Sequence, residues 1–187
     1  MRLRASGSQT VGPYLHIGLT WLNTAKIAGA GVQGERITVQ GRLLDGNGKA
    51  VSDGLIEIWQ ANAAGKYAHP DDRQEKALQK GFRGFGRIPT DARGAFRFTT
   101  IKPGRAPGPG GRLQAPHLAV TIFMRGLLKQ LSTRLYFPGE PANAQDPVLQ
   151  RVPAARRATL IARRMSRGVV QWNIVLQGKG ETVFFDY

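Results

Sequence analysis

The sequence predicts an all-β protein: an antiparallel β-sandwich with long loops, an N-terminal arm and one short helix, spanning residues 1–187 as a single domain. Roughly seven short stretches are apolar, either continuously or at every second residue, as strands require. Turn-forming clusters (DGNGK, DARG, PGEP and GKG) separate them. A single stretch carries a helical pattern. Short strands, frequent turns and a lone helix are the mark of two packed sheets.

Residues 1–24 contain SQTVGPYLHIGL. Gly12 frees the backbone and Pro13 fixes it again, while Tyr14, Leu15, Ile17 and Leu19 give apolar anchors. The reading is an ordered arm laid across a neighbouring subunit. Residues 25–35 form a Gly/Ala-rich loop. Ile37–Asp45 is a strand with Ile37, Val39, Gly41 and Leu43 on one side. DGNGK turns the chain into a second strand, Asp53–Asn62, and the two read as a β-meander. Ala63–Thr90 is a long excursion with little periodicity, kept ordered by Tyr67, Phe82 and Phe85. In DARGAFRFTTIKPG a turn precedes a strand with Phe96 and Phe98 on one face and Arg97 on the other.

A Gly/Pro-rich loop follows Thr100 and must lie at a rim of the fold. The chain re-enters a strand at His117–Met124, which is apolar almost throughout and so covered on both sides. Leu131–Phe137 is another strand, and Ala154–Arg164 is the helix. Val169–Gln177 and Glu181–Phe185 form a hairpin around GKG.

The chain carries 27 Lys and Arg against 12 Asp and Glu, a formal net charge of +15, and has no cysteine. Disulfides and thiolate metal sites are excluded, which suits a reducing cytoplasm. The basic N-terminus is followed by no apolar run, so neither a secretory signal nor a membrane span is expected. The charge invites nucleic acid, an acidic partner or an anionic substrate. The arginines are scattered, however, and no RNA-recognition strand, recognition helix or zinc finger accompanies them.

The histidines, His16, His69 and His117, are far apart, and Ala119 denies His117 a second imidazole two residues on. Asp71 and Asp72 beside His69 and Pro70 read as a solvated turn. No nucleophile motif or phosphate loop is present, GFRGFGR lying in no strand-to-helix context. From composition and spacing alone the chain is a basic β-sandwich domain, with non-enzymatic binding of nucleic acid or another polyanion open as a function.

The stretch TIKPGRAPGPGGRLQAPHLAV (Thr100–Val120) resembles the iron-site loop of the intradiol ring-cleavage dioxygenases, in which TIKPGPY and RPAHIH carry a tyrosine, an arginine and two histidines. Ala106 stands at the tyrosine position, Gln114 at the arginine and Ala119 at the second histidine. His117 remains. The resemblance extends through EIWQANAAGKYAH, where Tyr67 matches an axial ligand, through TRLYFPGEP, and to both ends of the chain. It implies the α subunit of a heteromeric member, holding no metal and no catalytic residue of its own.

A homologous β subunit would hold Fe(III), and the assembly would cleave 3,4-dihydroxybenzoate (protocatechuate) with O2 to 3-carboxy-cis,cis-muconate in aromatic catabolism. Thr10, Gly12, Pro13, Tyr67 and Arg125 would face the shared pocket. Tyr67, Ala106, His117 and Ala119 would mark the vestigial metal site. A plain inter-subunit anchor for the arm, a local hydrogen bond for His117 and a surface role for Arg125 are the alternatives. A self-sufficient homo-oligomeric dioxygenase would need all four ligands in this chain.

Overall fold

The structure, a computed structural model, describes residues 6–186; the first five residues of the predicted arm and Tyr187 lie outside them. Two sheets face each other. In the first, β1 (Arg36–Leu44) is flanked by β4 (Ala95–Ile101) and β8 (Val169–Gln171), with β7 (Arg163–Ser166) beyond β8 and β9 (Ile174–Val175) continuing alongside β1. The second runs β3 (Phe85–Pro89), β2 (Leu55–Trp59), β5 (His117–Phe123), β6 (Leu131–Tyr136). Val39, Leu43, Phe96 and Phe98 of the first sheet pack against Ile56, Ile58, Leu118, Val120, Ile122 and Leu135 of the second. Alternate residues from both inner faces thus build the core, as a sandwich requires.

The first sheet departs from the antiparallel expectation. β8 and β9 both run parallel to β1, so this sheet is mixed. The predicted strand Val169–Gln177 breaks between them at Trp172 and Asn173, and Glu181–Phe185 forms no strand. Its residues attach singly instead, Thr182 N–H to Val175 O at 2.9 Å and Phe185 N–H to Ser132 O at 2.8 Å.

The predicted meander of β1 with β2 is also corrected. After the DGNGK turn the chain pairs back on β1 only briefly, Val51 N–H donating to Leu43 O at 3.0 Å. It then crosses to the other sheet at Gly54, whose N–H donates to Thr90 Oγ1 at 3.0 Å. β1 takes β4 as its antiparallel partner, from Arg36 opposite Ile101 to Arg42 opposite Ala95.

The excursion from Ala63 contains a strand that its pattern concealed. β3 pairs with β2, Trp59 opposite Phe85 and Leu55 opposite Pro89, and buries Gly86 and Ile88. Gly86 hides the alternation because Ile27 fills the space where its side chain would be. The predicted helix at Ala154–Arg164 is a 3-10 helix over Ala154–Leu160, and Arg163 and Arg164 belong to β7. Leu160 is its one buried residue, too little apolar surface to hold longer helix. The arm contains a single α-helical turn, α1 (Tyr14–Ile17).

Gly41, on the inner face of β1, is where the parallel strand breaks over it: a Cβ there would stand 1.8 Å from the Trp172 carbonyl oxygen and 2.8 Å from the Phe96 ring. Gly41→Ala is therefore expected to destabilise the fold by about 3 kcal/mol, the upper end of ordinary overpacking. Denaturant unfolding measures this, and a loss under about 0.5 kcal/mol, the size of a neutral surface change, would contradict the close approach.

Candidate functional site

The predicted site residues fall at opposite ends of β5. At its start, three segments meet. The first is the loop after β2. Gln60, buried, donates from Nε2 to Ala61 O and Ile101 O at 3.0 Å each and accepts from Thr100 Oγ1 at 2.7 Å, fixing the strand end. Asn62 Oδ1 accepts the Ala64 and Lys66 N–H groups, both at 2.9 Å, in an Asx turn. Asp72 Oδ2 accepts the Tyr67 N–H at 2.7 Å, and Lys66 Nζ donates to the carbonyls of Asp72 and Gln74.

Tyr67, so clamped, stacks on Trp59 with ring centroids 5.9 Å apart and planes 7° apart. His69 meets Trp59 edge-on. These rings, with Asp72, Gln74 and Pro107, line an open cavity of about 670 Å3.

The second segment is the Gly/Pro loop. Ala106 is buried and its carbonyl accepts the Gln114 N–H at 2.9 Å. Gln114 spends its side-chain amide within the protein, donating to Pro107 O at 3.0 Å and accepting from Arg134 Nη1 at 2.6 Å. His117, 5% exposed, has Nδ1 2.7 Å from Ala115 O. A carbonyl can only accept, so Nδ1 carries the proton. Burial pushes this imidazole down from 6.5 to about 4, assisted by the Arg134 charge, and it is neutral near pH 7.

The third segment is β6 with the turn after it. Across the sheet Trp59, Ala119 and Arg134 lie side by side. The Arg134 guanidinium acts electrostatically on Tyr67, His117 and Tyr136 together. Burial nonetheless raises both phenols above the ordinary tyrosine value, so both stay protonated. Asp146, fully buried, anchors the corner by accepting Ala115 N–H at 2.7 Å, Tyr136 Oη–H at 2.9 Å, and the N–H groups of Val148 and Leu149.

This corner does not fit a ferric ion. Of the four positions that the family resemblance marks, Tyr67 and His117 offer donors while Ala106 and Ala119 offer methyl groups. Among the described residues no group of three or more His, Cys, Asp or Glu could hold a metal. The Arg134 charge, which acts on both remaining donors, disfavours a further cation beside them.

The other residues gather at the far end of β5, roughly 25 Å away at the usual strand rise. Thr10 Oγ1 accepts the Gly126 N–H at 2.8 Å. Gly12 O accepts the Leu15 N–H at 3.2 Å, and Pro13 caps α1. Arg125 Nε donates to Asp53 Oδ2 at 2.6 Å. Within the chain, Tyr67 therefore stands with His117 and apart from Thr10 and Arg125. Sequence reasoning missed Arg134, Asp146, Asp53 and the contact of His16 with Asp53. The one available signal was an arginine inside the apolar strand LSTRLYF.

A dioxygenase family model, Dioxygenase_C, matches residues 20–178. The chain belongs to the intradiol dioxygenase family. It is 42% identical to the protocatechuate 3,4-dioxygenase alpha chain of Burkholderia cepacia over 98% of each chain. To the alpha chain of Pseudomonas putida it is 40% identical, over 96% of this chain and 95% of that one. The beta chain of Burkholderia cepacia is 47% identical over 132 residues, 70% of this chain and 56% of its own length. Among solved structures, the dioxygenase domain of a dioxygenase–carbohydrate-binding fusion from Streptomyces sp. SirexAA-E superposes with a TM-score of 0.62 at 27% identity, over 83% of this chain and 88% of that one. Intradiol dioxygenases are non-haem iron enzymes, and this member keeps the sandwich while its own corner does not fit the metal.

The depressed His117 pKa fixes a pH dependence. The unfolded imidazole binds a proton at about 6.5 and the folded one only near 4, so the unfolded state binds more protons between these values. The His117 contribution to stability is expected to fall by roughly 3 kcal/mol as pH drops through that window and to level off below it. Denaturant unfolding at a series of pH values should show this slope in the native chain and lose it in His117→Gln.

Proposed function

We propose that the chain is the α subunit of a protocatechuate 3,4-dioxygenase, paired with a homologous β subunit that carries the Fe(III). The observation that carries this reading is the corner at His117, where alanines replace two donors and Arg134 supplies the charge. Similarity to two alpha chains over nearly their whole lengths supports it. The activity of the assembly is intradiol cleavage of 3,4-dihydroxybenzoate by O2. The ferric ion in the partner supplies Lewis-acid activation of the catechol, and this chain shapes the cleft and helps to capture the substrate.

Two features suit that role. Arg125 and the Thr10–Pro13 segment converge at one end of the sandwich, where a guanidinium and a hydroxyl can meet a ligand held next door. The net charge of +15 draws an anionic substrate, although single charges more than about 8 Å away are largely screened at physiological salt.

Co-expression with a homologous β chain, followed by iron analysis and protocatechuate-dependent oxygen uptake, tests the proposal. The complex is expected to hold iron and consume oxygen, while the chain alone does neither. His117→Ala should leave iron per complex unchanged. Replacing Thr10 or Arg125 should raise KM for protocatechuate about tenfold, the worth of one charge-assisted contact, with iron retained. A coloured, active preparation of this chain alone would overturn the reading.

A further inference from the structure

We propose that Asp53 is a positioning residue that fixes Arg125 and the N-terminal arm as one unit facing the carboxylate of the substrate. The inference rests on the chain's being the partner of an iron-bearing subunit. Asp53 lies just before β2, at the end of the sandwich remote from His117. It uses its side chain and its backbone for different segments. The carboxylate accepts Arg125 Nε at 2.6 Å, and the carbonyl accepts from His16 Nε2 at 2.5 Å. Gly126, next to Arg125, in turn donates its N–H to Thr10 Oγ1 at 2.8 Å. The contacts close a ring, from the arm at Thr10 through Gly126, Arg125 and Asp53 back to the arm at His16.

The geometry of the guanidinium gives this ring its purpose. Among the described residues Asp53 engages Nε alone, so the Nη1–Nη2 edge is left as a fork. That edge matches a planar carboxylate through two parallel hydrogen bonds. The Arg125 side chain is 61% exposed and that of Asp53 is 23% exposed, so the fork is reachable while its anchor is sheltered. An arginine side chain already held by Asp53 has lost much of its rotamer freedom before the ligand arrives. Asp53 also offsets part of the arginine charge, so its contribution is to geometry and not to Coulomb attraction.

The test uses the αβ holoenzyme carrying Asp53→Asn, with 3,4-dihydroxybenzoate and catechol, which lacks the carboxylate, as paired substrates. The kcat/KM ratio of the first over the second is expected to fall about tenfold, through KM, with iron per complex unchanged. Asp53→Glu should recover part of the ratio. Arg125→Met should lower it equally, and the double variant should lower it no further, because the two residues act as a unit. An equal loss with both substrates would reduce Asp53 to a structural role and overturn the inference. So would an unchanged ratio in Asp53→Asn when Arg125→Met lowers it. If Arg125→Met leaves the ratio unchanged in an iron-loaded, active complex, carboxylate recognition by Arg125 fails and the inference fails with it, the subunit assignment standing. A wild-type αβ complex without iron or oxygen uptake would instead sink the subunit assignment.

Discussion

The guanidinium of Arg134 is the charge that the groups of its corner share, acting beside the burial that sets their protonation. It reaches Tyr67, His117 and Tyr136 with one fixed positive charge, and Gln114 holds it in place. Burial keeps the neighbouring His117 imidazole neutral, and the half-buried Arg134 cation, which disfavours a second cation beside it, assists. This charge does not depend on pH, since arginine stays protonated throughout the range in which proteins fold.

The corner is tied together by the hydrogen bonds of Asp146. Asp146 takes four donors from three segments, so the entry to β5, the end of β6 and the turn beyond are one connected piece. A buried carboxylate is costly unless its oxygens are satisfied, and here they are. The corner contributes rigidity at one end of β5, while the far end of the same strand carries Arg125 and receives the arm.

Legibility in the sequence tracks how local each signal is. β1 and β5 were readable because long alternation or a continuous apolar run marks a strand by itself. β3 was not, because Gly86 removes one beat of a short pattern and Ile27, far away in sequence, fills the gap. The turn after β1 looked like a hairpin turn, and nothing nearby announces that Gly54 and Thr90 hand the chain to the other sheet. Arginines around Leu160 and Ile161 imitated an amphipathic helix where a single leucine is buried. The vestigial positions lay within one recognisable stretch and Tyr67's loop. Arg134, Asp146 and Asp53 acquire their roles from neighbours across strands or loops, which spacing along the chain does not encode.

The outer margins of the two sheets are treated unequally. Bridges from Lys26 to Thr99, Thr24 to Arg87 and Ser132 to Phe185 run along β4, β3 and β6. Among the described residues no such bridge covers β7, whose four residues are all exposed. An uncovered strand is a template for fibre-like stacking of identical molecules. Arg163 and Arg164 on β7, with Arg167 just beyond, would bring like charges together in any such stack, so the basicity of this margin opposes it.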